Sequence, residues 1–165
     1  MSQHNVAIED SIDEVLSAYQ FYYGVDLGCG KGDLGPILKN HVGWLVGVDD
    51  HMAFLLAARN KGYDELVVAD VRNYRLPLEA DSFFMFELLE HLSIEDGKKI
   101  VDETKPHFLL VSTPSQFHPN IEQDPHISLW SPDDFYSLGF NDVWLVPNPN
   151  SPMGDTILAV REASR

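Results

Sequence analysis

Four acidic positions between residues 26 and 87 each close a short apolar run. Asp26 ends the run from Tyr22 and leads into Gly28-Cys29-Gly30-Lys31-Gly32. Asp49 and Asp50 follow Trp44–Val48, and Asp70 follows Glu65–Ala69. Glu87 follows Ser82–Phe86, with Glu90 and His91 just beyond it. A single acid at a solvated strand end is ordinary. Four in succession beside a glycine-rich turn point to one ligand crevice lined by carboxylates. The glycines allow backbone to approach that ligand closely and to adopt positive φ.

The charges select the ligand. Gly30-x-Gly32-x-x-Gly35 fits the GxGxxG pattern, and Asp49 follows Gly30 by 19 residues, as in dinucleotide sites. The register is poor, however. The first glycine should follow the strand directly, which selects Gly28 and puts the third position on Asp33. Asp26 would also sit beside a pyrophosphate, and like charges a few Å apart in a partly buried site cost on the order of several kcal/mol. A ligand with no phosphate and a cationic end removes that conflict. S-adenosylmethionine has a sulfonium, an ammonium, a ribose and an adenine. Asp49 can hold both ribose hydroxyls, and Asp70 can accept from the adenine amine. Gly30-Lys31 is followed by Gly32 and Gly97-Lys98 by Lys99, neither by Ser or Thr, so no Walker motif exists.

The elements that must position these residues follow from periodicity and capping signals. Ile8, Ile12, Val15, Leu16 and Tyr19 predict an amphipathic helix over 6–20. The glycine turn leads into a helix to about Asn40, and another helix spans about His51 to Lys61. Ser93-x-x-Asp96 caps a helix to about Thr104. His107–Ser112 is a fifth strand. Ser131-Pro132-Asp133-Asp134 opens a helix that Gly139 ends. Val143–Val146 and Thr156–Val160 are the last strands, joined by a loop short enough for a hairpin. Strands alternating with helices predict an α/β fold: a doubly wound, mostly parallel seven-stranded sheet, helices on both faces, its last strand antiparallel. Ligands of such sheets bind at the carboxyl ends of the strands.

The chain has 165 residues, 44% hydrophobic and 22% charged, the composition of one globular domain over 1–165. One cysteine removes any intrachain disulfide or multi-cysteine zinc framework. No apolar run approaches a membrane span, and no leader is visible at the start, so the expectation is a cytoplasmic protein without a membrane partner. Eleven basic residues against 26 acidic ones give a net charge of −15, which disfavours nucleic acid and anionic membranes as partners.

The sequence resembles the seven-stranded, Rossmann-like (class I) S-adenosylmethionine-dependent methyltransferases. VDLGCGKG, VGVDD, VADV and FELLEHL match that family's first four motifs, in order, within a resemblance covering roughly residues 21–162. The resemblance implies that Asp26 supports the methionine end, over a loop of Gly28, Cys29, Gly30 and Gly32. It implies ribose at Asp49, adenine at Asp70 and the Val71 backbone, and the methionine side at Glu87 and Leu88. Family members often have an apolar residue after the ribose acid. Here it is Asp50, with Met52 or Phe54 as the replacement contact to adenine.

Residues 113–130 form a long aperiodic loop carrying His118, Asp124, His126 and Trp130. Loops of that length in compact domains are often functional. His126, in a segment resembling one branch of the family, and His91 are the candidate catalytic groups. Trp130 reads first as a packing anchor and Cys29 as a small loop residue. Glu87, Glu90 and His91 stand at i, i+3 and i+4, one side of a helical turn. With His126 they could hold Mg²⁺ or Mn²⁺, an arrangement similar to that of small-RNA 3′-terminal 2′-O-methyltransferases. ELLEHL-like segments are common in the family without metal, so none is expected. The expected activity is S-adenosylmethionine-dependent methylation of a small molecule. The alternatives are a catalytically silent partner subunit, the metal-assisted RNA-end enzyme, and a nicotinamide-dependent oxidoreductase.

Overall fold

A computed structural model describes residues 6–118 and 126–163. Asp124 and most of the central stretch of the 113–130 loop lie outside the described residues. The element order is α1 (Val6–Leu16), β1 (Phe21–Leu27), α2 (Gly35–Lys39), β2 (Val42–Asp49), α3 (Met52–Ala58) and β3 (Glu65–Val68). Then come β4 (Ser82–Phe86), a 3₁₀ turn (Leu89–His91), α4 (Ile94–Glu103), β5 (Phe108–Pro114), α5 (Pro132–Ser137), β6 (Asp142–Val146) and β7 (Thr156–Arg161). No described helix is long and apolar enough to cross a membrane.

The strands form one seven-stranded sheet in the order β3-β2-β1-β4-β5-β7-β6. The first five are parallel, and β7 runs antiparallel to both β5 and β6. The chain moves outward from β1 to β2 and β3, then returns to place β4 on β1's other side. That reversal makes the crevice above β1 and β4 the switch point of the sheet.

Every residue of β4 and β5 is buried, which is why SFFMF and FLLVSTP read as near-continuous apolar runs. Alternate strand residues feed two apolar layers. One packs Val25, Phe83 and Val111 against Ile100, Trp130 and Phe135. The other packs Phe84, Phe108 and Leu110 against Ile12, Leu16 and Leu38 of α1 and α2. The predicted caps are present: the Ser93 hydroxyl accepts from the Asp96 N–H, and Ser131 and Asp134 form a reciprocal capping box.

Several boundaries differ from expectation, the third helix ending at Ala58 and not Lys61 among them, and two do so for visible reasons. The first helix ends at Leu16, not near 20, because Tyr19 turns away to pack on Phe21 and Phe108 at ring separations of 5.7 and 4.8 Å. The fifth strand runs to Pro114, because β7 pairs with it through the register Thr113↔Ile157 and Pro114↔Thr156.

Candidate active site

The glycine turn after β1 is tied to β2 before any ligand arrives. The N–H groups of Gly28 and Cys29 donate to the Val48 carbonyl at 2.8 and 3.0 Å, and the Gly30 N–H donates to Asp49 Oδ2 at 2.9 Å. Asp49 Oδ1 accepts the His51 N–H at 2.8 Å. One carboxylate therefore orders both the loop and the start of α3. Gly30 sits at φ +54°, and a Cβ there would meet nothing within 4 Å, because it would project into open cavity. Gly28 is closed instead: a Cβ would strike Leu88 at 2.8 Å.

Two cavities meet at this loop, sharing Gly28, Gly30 and Glu87. One, of ≈ 430 Å³, is lined by Asp49, Asp50, His51, Phe54, Asp70 and Val71 among others. The other, of ≈ 410 Å³, is lined by Asp26, Cys29, Lys31, Phe86 and Ser112, with Ile8 and Ile12 of α1 above. The first suits a nucleoside and the second the amino-acid end of S-adenosylmethionine, with the bare Gly30 backbone between them. The strand-end carboxylates and the open side of Gly30 fit that cofactor.

The sequence-predicted residues fall into place unequally. Asp26, Gly28, Cys29, Gly30, Asp49, Val71 and Leu88 all line the paired cavities. Gly32 does not. At φ +76° it is buried beneath the loop, and a Cβ there would press on Ala58 and Tyr63 at 2.8 and 2.9 Å, so it is a packing glycine. Asp70 lines the nucleoside cavity, but its carboxylate is gripped by Arg72, whose Nε lies 2.9 and 3.0 Å from the two oxygens. The Arg72 hydrogen bonds hold Asp70 below the usual carboxylate range. Asp50 is exposed and pairs with His51 Nδ1 at 2.6 Å. Phe54, stacked on His51 at 5.0 Å with Lys31 Nζ 5.4 Å from its ring centre, lines the nucleoside cavity, whereas Met52 does not. Burial pushes the Cys29 thiol well up, with Asp26 adding to the effect, so it is held protonated and is no nucleophile.

Beyond β4 the chain does not enter an α-helical turn. Glu87 adopts φ +50°, a left-handed conformation that costs a non-glycine residue about 1–2 kcal/mol. The 3₁₀ turn then begins at Leu89, leaving Glu87 outside it. The expected grouping therefore does not share one helical face, although the Glu87 and Glu90 carboxyls still meet. Glu87 stands on the cavity floor, solvent-accessible yet ringed by protein, and accepts from the Ser112 hydroxyl at 2.9 Å. Glu90 is 1% exposed; its Oε2 accepts from Thr113 at 3.0 Å, its Oε1 meets no N–H or hydroxyl donor, and its carboxyl is in hydrogen-bond contact with that of Glu87. Burial foremost raises the pKa of both, and for Glu90 the charge of Glu87 adds to it. Glu90, His91 and His126 each offer a ligand atom, all within 4.8 Å of one another. The two imidazoles meet edge to face at 4.9 Å.

The far end of the long loop is anchored so that His126 reaches this point. The Ile127 and Ser128 N–H groups donate to the Glu90 carbonyl at 2.9 and 3.2 Å, and Ser128 Oγ donates to the Leu89 carbonyl at 3.0 Å. Trp130, 1% exposed, donates its indole N–H to Ser128 Oγ at 3.0 Å and packs on Gly97 and Phe135. It is an anchor, away from the cavities. His118 lines neither cavity.

Sequence reasoning missed Tyr63, whose hydroxyl donates to Asp26 Oδ2 at 2.7 Å, and it missed Arg72 and His51. His51 had a usable signal, standing two residues beyond the ribose acid. Tyr63, 37 residues from Asp26, had none.

Comparison with known proteins agrees with this fold. A family model described as a methyltransferase domain matches residues 25–106. No curated protein matches the chain. Among solved structures, the methyltransferase domain of bacterial CtHen1-C superposes with TM-score 0.74 at 20% identity, covering 98% of this chain and 99% of that one. The N-methyltransferase NodS from Bradyrhizobium japonicum WM9, in complex with S-adenosyl-L-homocysteine, gives 0.74 at 16% identity, covering 96% and 88%. Small RNA methyltransferase HEN1 gives 0.72 at 16% identity, covering 96% of this chain and 25% of that one. At these identities the likeness is one of fold. The nicotinamide alternative gains nothing from these relatives or from the cavity with Asp26 on its floor. Motifs, domain match and sheet order agree, and the chain belongs to the Rossmann-like, S-adenosylmethionine-dependent methyltransferases.

Proposed function

We propose that this enzyme methylates an oxygen of a small molecule that carries neighbouring oxygen atoms, held with a divalent cation on Glu90, His91 and His126. One observation supports the reading above the others: a carboxylate buried to 1% exposure has an oxygen that no N–H or hydroxyl satisfies, it faces a second carboxyl, Glu87, and two imidazoles stand beside it. A buried unpaired carboxylate oxygen is costly unless a cation or proton satisfies it. The donor set, one carboxylate and two imidazoles, suits Mn²⁺ or a similar ion, and Glu87 stands close enough on the same cavity floor to join. Sequence reasoning expected no metal; this geometry favours the alternative.

When bound, such a cation supplies Lewis acidity that makes a coordinated hydroxyl easier to ionise. The chain's own contributions are placement and exclusion of water. Asp49 and the Gly30 backbone fix the nucleoside, and Asp26 faces the ammonium. His91 and His126, both turned to the cluster, act here as ligands and not as general bases. Methyl transfer is an in-line displacement, so alignment supplies much of the acceleration.

The small-molecule acceptor rests on electrostatics. The net charge is −15, and Lys39, Lys61 and Arg72 are each engaged by an aspartate; Lys31 lines the amino-acid cavity, but one lysine does not make a basic track. A second reading, the terminal ribose of an RNA, is supported by the fold match to small RNA methyltransferase HEN1.

The test is label transfer from S-adenosylmethionine with and without EDTA and added Mn²⁺. One arm offers a metabolite pool, and the other an oligoribonucleotide with a 2′-hydroxyl or 2′-deoxy terminus. Mn²⁺-dependent label in the metabolite arm is expected. Label confined to the 2′-hydroxyl oligonucleotide would establish the second reading, and turnover indifferent to EDTA would remove the cation. No label in either arm with intact cofactor binding would favour the silent partner subunit.

A further inference from the structure

Asp26 is the most deeply placed of the strand-end acids, 2% exposed at the base of the amino-acid cavity. A carboxylate so buried tends to protonate, and a neutral carboxyl attracts an ammonium poorly. One hydrogen bond opposes that tendency. Tyr63, from the turn before β3, passes its ring beneath the glycine loop and donates to Asp26 Oδ2 at 2.7 Å.

The passage is cleared by three glycines. A Cβ on Gly32, Gly35 or Gly47 would approach Tyr63 ring carbons at 2.9, 2.6 and 2.8 Å, which real side chains do not tolerate. The loop, the start of α2 and the middle of β2 thus all yield room to one ring. Burial foremost, then the charge of Asp26, pushes the phenol's pKa far up, so Tyr63 remains a donor throughout the working range of pH.

We propose that Tyr63 is a positioning residue for the cofactor's amino-acid end: its hydroxyl orients Asp26 and keeps it a carboxylate facing the ammonium. The proposal rests on the cofactor assignment and adds to it a residue outside the family motifs.

The groups around Asp26 bear on its charge. Asp49 at the end of β2 and the Cys29 thiol interact with it electrostatically. Glu87 of the β4 end, Glu9 of α1, and Lys31 and Asp33 of the loop line the same cavity. Burial foremost raises Asp26 to about 7; Tyr63 works against that and Asp49 with it. Deleting the phenol oxygen therefore moves the titration upward.

The experiment compares S-adenosylhomocysteine with 5′-methylthioadenosine, which lacks the amino-acid end, on wild type, Tyr63→Phe, Asp26→Asn and the double variant. Affinity is measured by calorimetry from pH 6 to 9. Tyr63→Phe should bind S-adenosylhomocysteine about tenfold more weakly at neutral pH and bind 5′-methylthioadenosine as wild type does. Its pH midpoint for S-adenosylhomocysteine should lie above that of wild type, and the loss should vanish in the Asp26→Asn background. Equal losses for both ligands, an unmoved midpoint, or an undiminished loss in the Asp26→Asn background would each overturn the Tyr63 assignment alone. Wild type that binds neither ligand would overturn the cofactor reading, and this proposal with it.

Discussion

Asp49 accepts the Gly30 N–H at 2.9 Å, joining the glycine loop of the first motif to the acid of the second through one hydrogen bond. Its other oxygen holds the His51 N–H, so the acid is oriented before ribose arrives. Asp49→Ala should weaken S-adenosylhomocysteine binding by about 2 kcal/mol or more, roughly thirtyfold, since charge-assisted hydrogen bonds to two hydroxyls are lost. Calorimetry on the folded variant checks this, and wild-type affinity would remove the ribose assignment.

Asp70 makes a smaller claim on the cofactor than its place at a strand end suggests. With Arg72 on both its oxygens, Asp70→Asn should cost under tenfold in affinity, far less than Asp49→Ala. A loss matching that of Asp49 would show that Arg72 yields its hold when adenine enters.

His126→Ala separates the two ends of the site. Manganese affinity should fall at least tenfold while S-adenosylhomocysteine affinity stays unchanged, because His126 lines neither cofactor cavity. Titration of Mn²⁺ into both proteins measures the first quantity. Loss of cofactor binding alongside it would mean that the loop carries the glycine turn with it.

Asp26 also leaves a mark on the stability of the ligand-free protein. Its pKa is raised from 3.8 to about 7 by folding, so the folded state holds the proton more tightly than the unfolded chain. The associated stability is fully present below about pH 4 and is lost as pH rises through about 7, an effect of up to about 4 kcal/mol. Asp26→Asn should therefore melt higher than wild type at pH 8 without ligand, while losing S-adenosylhomocysteine affinity. A melting temperature equal to or below that of wild type at pH 8 would contradict the burial argument.

Trp130 and Gly97 form a packing pair that touches no ligand. Trp130→Ala should destabilise by about 3–5 kcal/mol through the cavity it leaves. Gly97→Ala, whose new methyl would meet the indole at 2.5 Å, should cost about 1–3 kcal/mol by overpacking. Denaturant titration reads both. A raised KM with unchanged stability for Trp130→Ala would place the ring against substrate instead.

Local patterns in the sequence determined most of the sheet and half of the site. Strand Ser82–Phe86 and the caps at Ser93 and Ser131 were legible because they depend on neighbours within four residues. Asp26, Gly28, Gly30 and Asp49 were legible because parallel strands deliver their carboxyl ends to one edge whatever lies between them. Tertiary structure alone decided the rest. Which glycines face ligand and which face packing depended on where Leu88 and Tyr63 arrive from distant segments. Glu87 meets Glu90 from outside the 3₁₀ turn because the backbone turns left-handed after β4, where periodicity predicted one helical face. His126 reached His91 through hydrogen bonds to the Glu90 and Leu89 carbonyls across more than 30 positions of chain, and such a long-range meeting leaves no trace in local spacing.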